Sequence, residues 1–123
     1  MLELQSMRLL LGASRLLVYW SLWLGLGFTS AGRALVEALG SPDKNIRSIA
    51  GMLLVKSGKR AEPLLLEAVN RRENLPMVLT VLGSIGDPAV IPQLRQFTED
   101  ENQDVANAAR EALKVIEFAA NRI

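Results

Sequence analysis

Apolar positions follow two patterns along the chain. From Leu16 to Gly32 they are nearly continuous: 17 residues without a charge, bracketed by Arg15 and Arg33. After that run they recur every three or four positions, in short segments separated by Gly, Pro and charged turns. That is the period of helices that bury one face. No stretch alternates apolar and polar residues between turn pairs, so no strand is expected. The predicted fold class is all-α.

The uncharged run invites a membrane reading. As a helix, its 17 residues would span about 25 Å, a little short of a hydrocarbon core of about 30 Å. Leu9–Ser14 can extend it, with the stem of Arg15 reaching toward headgroups. The expected membrane segment is carried by Leu16, Leu17, Tyr19, Trp20, Leu22, Trp23, Leu24 and Phe28. Its aromatic residues lie where an interfacial belt would fall, and Gly25 and Gly27 are tolerated in membrane helices. Two other readings stand beside it. Arg8, Arg15 and the small-residue stretch Thr29-Ser30-Ala31 fit a cleaved signal peptide. A soluble core helix with all its faces buried by neighbours fits the same composition. In a single-pass arrangement, Arg33, Lys44 and Arg47 outnumber Arg8 and Arg15. The positive-inside rule then places the C-terminal part in the cytoplasm or its equivalent.

The rest of the chain repeats. Leu35, Leu65 and Leu94 head one set of matching segments, spaced by 30 and 29 residues. Leu54, Leu82 and Leu113 share a register position in a second set. Asp43, Ile46, Arg47, Ala50, Leu54 and Gly58 fit one motif. Leu82-Gly-Ser-Ile-Gly-Asp87, Ala89 and Ile91-Pro-Gln-Leu94 fit it again, as do Val105, Ala109, Ala112, Leu113 and Ile116. The motif resembles the HEAT repeat, in the short variant of phycobilin-lyase-like proteins, over residues 31–120. Leu75 and Ala106 stand where that repeat carries Arg. The resemblance implies a short α-solenoid of three helix pairs, because one pair cannot bury its apolar stripe alone.

Local signals place six helices, at about 31–39, 43–57, 61–70, 75–85, 88–98 and 103–120. Ser41-Pro42 and Asp87-Pro88 read as N-cap and first helical position, and Asn74 as the cap of the segment from Leu75. Gly40, Gly58 and Gly86 punctuate helix ends. The expected domains are a hydrophobic, transmembrane segment over 1–30 and a repeat domain over 31–123, with repeats at about 31–58, 61–86 and 88–120. Since the repeats begin near Ala31, the run is not needed to complete them, which favours an added anchor over a core helix.

Composition narrows function mainly by exclusion. The chain of 123 residues has no Cys and no His. That removes thiol nucleophiles, disulfides, the usual zinc ligands and the usual general base near neutral pH. Net charge is +1 overall, with no basic stripe for nucleic acid. Residues 99–123 carry three basic against six acidic groups. The acidic loop Glu99–Asp104 lacks the Gly and the final Glu of an EF-hand. Glu62, Glu67 and Glu73 are scattered carboxylates with no perturbing pocket in view, and no phosphate loop is present. No cofactor and no catalytic residue is expected.

What remains is binding. Helical periodicity predicts outward stripes at Ser48, Met52 and Val55, at Pro76, Thr80 and Gly83, and at Asn107, Glu111 and Lys114. The first two are uncharged, and Phe118 falls in the polar sector of the last helix. Candidate partner contacts are Met52, Val55, Met77, Thr80 and Phe118. Lys56, Lys59, Arg60, Arg71 and Arg72 cluster at turns, where they solvate loops or touch anionic headgroups. The leading reading is a membrane-tethered interaction module, an accessory or assembly subunit of a larger membrane protein complex, touching protein and lipid. The resemblance also implies a chromophore-handling, bilin-lyase-like role. A soluble regulatory scaffold is the third reading.

Overall fold

The computed structural model describes residues 2–121, with side chains from Ser6 onward. All regular structure among them is helical. The chain divides after Ser57 into two compact units.

The first unit opens on α1 (Leu2–Leu26). It ends at Gly27, whose φ of 76° is left-handed, a conformation glycine adopts without a Cβ penalty. The turn is closed on both sides. The Gly27 and Phe28 amides donate to the carbonyls of Trp23 and Leu22 at 2.9 and 3.2 Å, and the Phe28 carbonyl accepts from Ala31 and Gly32. The chain therefore doubles straight back into α2 (Thr29–Glu37), continues through a 3-10 turn at Ala38–Gly40 and enters α3 (Lys44–Ser57).

The cap of α3 is Asp43, not Ser41-Pro42. Its carboxylate accepts from the Asn45 amide at 2.8 Å, while the Ser41 hydroxyl accepts from the Asp43 amide at 3.1 Å. The Ser-Pro-Asp stretch is thus a turn leading to the cap, and Arg47 ties it down by donating to the Ser41 carbonyl at 2.6 Å.

The packing of α1 differs from a free-standing anchor. It lies against both α2 and α3, and Leu16 and Trp23 are only 4% and 7% exposed. Gly12 meets Ile46, and the Trp20 indole donates to the Ser57 hydroxyl at 3.0 Å. Those two contacts make α1 and α3 run in the same direction. Leu35 and Leu39 supply the fully buried side chains of the α2 segment, and Ala50 and Leu54 those of α3.

The second unit begins with a 3-10 turn at Gly58–Ala61 and contains α4 (Glu62–Asn70) and α5 (Leu75–Ile85). The α4 C-terminus closes through Glu73 and Arg72 amides bonded to the Ala68 and Val69 carbonyls, each at 3.0 Å. Arg72 fills the left-handed position usually given to glycine, with φ 55°. Its side chain is held by Asp100 at 3.1 Å and lies over the Phe97 ring, which offsets the backbone cost. Asn74 is also left-handed, and its side chain makes no cap bond. The expected cap fails because capping geometry needs an extended backbone.

After Gly86 and Asp87, a 3-10 turn at Pro88–Val90 leads to α6, which spans only Ile91–Arg95. A continuous helix over 88–98 is not formed. Pro92 has no amide to donate, so it sits in the first turn of α6, where none is needed, and the α-helix starts at Ile91 and not at Pro88. Beyond Arg95 the amides of Phe97, Thr98 and Asp100 bond three residues back, in tight turns. Asn102 then caps α7 (Gln103–Asn121) by accepting from the Asp104 amide at 2.9 Å and the Val105 amide at 3.3 Å.

Three helix pairs are present: α2 with α3, α4 with α5, and α6 with α7. Within the second unit, α5 also packs closely on α7. Gly83 is buried there: a Cβ at that position would lie 2.7 Å from both Cα and Cβ of Ala112. Gly83 therefore does not belong to the outward stripe that periodicity predicted.

Candidate interaction surfaces

Most of the exposed large apolar side chains among the described residues of the first unit lie on one side of α1. Its covered side comprises Leu9, Gly12, Ala13, Leu16, Trp20 and Trp23, spaced by three or four. The opposite side exposes Met7, Leu10, Leu11, Leu17 and Val18, with Leu10 and Leu11 at 65% and 67%. By length and composition, Ser6–Leu26 suffices to cross a membrane. Of the residues expected in such a span, Leu16 and Trp23 are buried. Tyr19, Trp20, Leu22 and Leu24 are half-buried, while Leu17 is exposed and Phe28 is exposed in the turn beyond the helix. The run is therefore two-sided, neither wholly core nor wholly free.

The candidate contact residues are distributed over three helices. On α3, Ser48 and Met52 are exposed and Val55 half-buried. On α5, Thr80 is exposed, Pro76 and Met77 are half-buried, and the Thr80 hydroxyl donates to the Pro76 carbonyl at 2.8 Å. On α7, Phe118 and Val115 are exposed among a polar set. Asn107, Glu111 and Lys114 point outward as periodicity requires, with Lys114 on Glu111 at 3.4 Å. Met77 and Thr80 thus share one helix, and Phe118 lies at the far end of another.

One cluster departs from its reading as scattered carboxylates. Glu62, in the first turn of α4, is 9% exposed. It shares a hydrogen bond with Asp87, the residue that caps the 3-10 turn and accepts from the Ala89 amide at 3.1 Å. Its other oxygen, Oε1, is buried without a hydrogen-bond partner. Burial first, then the bond and charge of Asp87, push the Glu62 carboxyl up to about 7, against some relief from Lys59. The bond from Glu62, then the Ala89 amide, hold Asp87 below its ordinary range. The pair thus favours a proton on Glu62 and a charge on Asp87. The signal was in the sequence: Glu62, Leu65 and Val69 fall on one helical face, so a carboxyl occupies the buried stripe. Among the described residues, no group of three or more potential ligands is placed to hold a metal.

The family model for HEAT repeats matches residues 32–114, from α2 into α7. The chain belongs to the HEAT repeat family. The helix α1 lies outside that match. HEAT repeats generally mediate protein–protein contacts. No curated protein and no solved structure matches the chain.

Proposed function

We propose that this HEAT-repeat chain is a non-catalytic interaction module held at a membrane by α1, acting as an accessory or assembly subunit of a larger membrane protein complex. The observation that carries the proposal is the two-sided α1. One face docks on its own repeat and the other offers Met7, Leu10, Leu11, Leu17 and Val18. A contiguous exposed apolar face marks an interaction site. Tethering raises the local concentration of the repeat surface at the bilayer, so modest contacts there suffice. On this reading the repeats lie on the cytoplasmic side. Met52 and Val55 on α3, Met77 and Thr80 on α5, and Phe118 on α7 make the protein contacts. The Glu62–Asp87 pair is a structural element and not a reaction centre.

The test is recovery of partners with the full chain from membranes solubilised in mild detergent. A membrane protein should accompany it. Met52→Glu combined with Val55→Glu should lower that recovery about tenfold or more, the loss expected when central contacts are removed. Helicity measured by circular dichroism should stay unchanged. Undiminished recovery would remove α3 from the contact surface, and a chain found wholly in the soluble fraction would sink the membrane reading.

A further inference from the structure

We infer that α1 meets the membrane lying in its plane, with Met7, Leu10, Leu11, Leu17 and Val18 dipped into an anionic lipid surface, and does not cross it. This rests on the membrane reading above and specifies its geometry.

The covered side of α1 argues against crossing. Gly12 against Ile46, the Trp20–Ser57 hydrogen bond and the buried Leu16 and Trp23 fasten α1 to its neighbours across its middle and C-terminal turns. A crossing helix would have to leave α3, stripping the Trp20 indole N–H of its acceptor and uncovering Trp23, while the Ser57 hydroxyl kept its bond to the Leu53 carbonyl. The alternative is to carry α3, with Lys44, Arg47 and Lys56, into hydrocarbon, where charged groups are costly. Lying in the interface requires neither: the covered face stays on the repeat while the open apolar face is buried in the acyl boundary.

The open side supplies the occupant. Its positions 7, 10, 11, 14, 17, 18, 21 and 25 recur at the helical period, and its only polar side chains are Ser14 and Ser21. The Ser21 hydroxyl donates to the Leu17 carbonyl at 2.9 Å, so it is satisfied without water. From Leu4 to Val36 the only charges are Arg8, Arg15 and Arg33, with no acid among them. Arg8 and Arg15 lie two turns apart on one flank of the strip, at the level where headgroup phosphates would sit. A soluble helix face has a mixed border of charges. That is how α7 is built, with Arg110, Glu111, Lys114 and Glu117 outward. Within Leu4–Leu26 the border of α1 carries cations and no acid, Glu3 preceding that stretch, and it complements an anionic bilayer.

Native Trp20 and Trp23 are the chain's two tryptophans, and no Cys is present. The full chain is mixed with vesicles of phosphatidylcholine and phosphatidylglycerol, with and without brominated acyl chains. A Val18→Cys variant carries an environment-sensitive dye. In-plane docking predicts that the protein floats with the vesicles and that bromine quenches the dye at position 18. Tryptophan emission should change little, because both indoles face the protein. Replacing Arg8 and Arg15 by Gln should weaken binding about fivefold for each residue. Binding with strong tryptophan quenching overturns the in-plane geometry while the membrane reading stands. Absence of flotation overturns both. A vesicle-free dimer that Val18→Glu dissociates, again without flotation, assigns the strip to a second copy and also overturns both.

Discussion

The raised Glu62 carboxyl makes stability depend on pH in a direction opposite to that of most acidic side chains. The Glu62 carboxyl is raised from 4.5 to about 7 in the folded chain. The folded state therefore holds a proton that the unfolded chain has released. Its contribution is complete below about pH 4.5 and is lost as pH rises through 7, at most about 3 kcal/mol by linkage. Asp87 works the other way: its lowered carboxyl stabilises above the ordinary Asp range and loses that effect as pH falls. Between the two, in mildly acidic solution, the α4–α5 region should be most stable. Glu62→Gln keeps a neutral donor toward Asp87 and cannot ionise. The denaturant midpoint of the native chain should fall from about pH 5 to about pH 8, and the variant's should stay level over that range. Equal slopes in both would show that Glu62 is not the titrating group. In the sequence Glu62 reads as one of several scattered carboxylates, although its spacing from Leu65 and Val69 puts it on their buried face. That spacing could not supply Asp87, which is distant in the chain and reaches Glu62 only through the fold.

Helix existence was legible at the level of elements, because apolar spacing survives whatever the loops do. Leu54, Leu82 and Leu113, assigned to one register, lie on α3, α5 and α7, the second helices of the three pairs. Helix ends were less legible. Asp43 displaced Ser41-Pro42 as a cap, Asn74 adopted a backbone that does not cap, and the expected 88–98 helix shrank to Ile91–Arg95, with Pro92 in its first turn and tight turns after Arg95. Each of these ends depends on backbone dihedrals that several residue types tolerate. Periodicity also misread Gly83, since a missing side chain gives no apolar signal at a buried position. Its role is steric. The α5 and α7 backbones approach so closely that Ala at 83 would press on the Ala112 backbone as well as its methyl group. Gly83→Ala should destabilise by about 1–3 kcal/mol, and Ala112→Gly should restore only part of that, because Cα remains in the way. Gly25→Ala is the control. Nothing lies within 4 Å of a Cβ there, so helix propensity should make it neutral or stabilising by up to about 1 kcal/mol. Thermal melts of the three variants and their double mutant measure all of this. A Gly83→Ala chain as stable as the parent would mean that the two helices can separate freely.

The whole molecule turns on whether α1 is an appendage or a structural layer. The sequence set it apart, because the recognisable repeats begin at about Ala31 and the family match begins at residue 32. Yet α1 packs on α2 and α3, and Leu16 and Trp23 are buried within the first unit. The two facts agree once the repeat is seen as incomplete on one side. A terminal repeat in a stack has an apolar flank that no preceding repeat covers, and something must cap it. The covered stripe of α1 does so, with the Gly27 turn bringing it back onto α2. Its uncharged composition hid that role, because a helix apolar all round gives periodicity no contrast from which to pick a buried face. Deleting residues 2–26 tests the layer. Each buried large side chain removed forfeits about 1.5–3 kcal/mol of burial, and the apolar flank it covered faces water. Amides of α2 and α3 should then lose hydrogen-exchange protection, whereas those of α5 and α7, packed on each other in the second unit, should keep theirs. If α2 and α3 stayed fully protected without it, α1 would be an appendage. The face it turns to the repeat would then be no more structural than the face it turns outward.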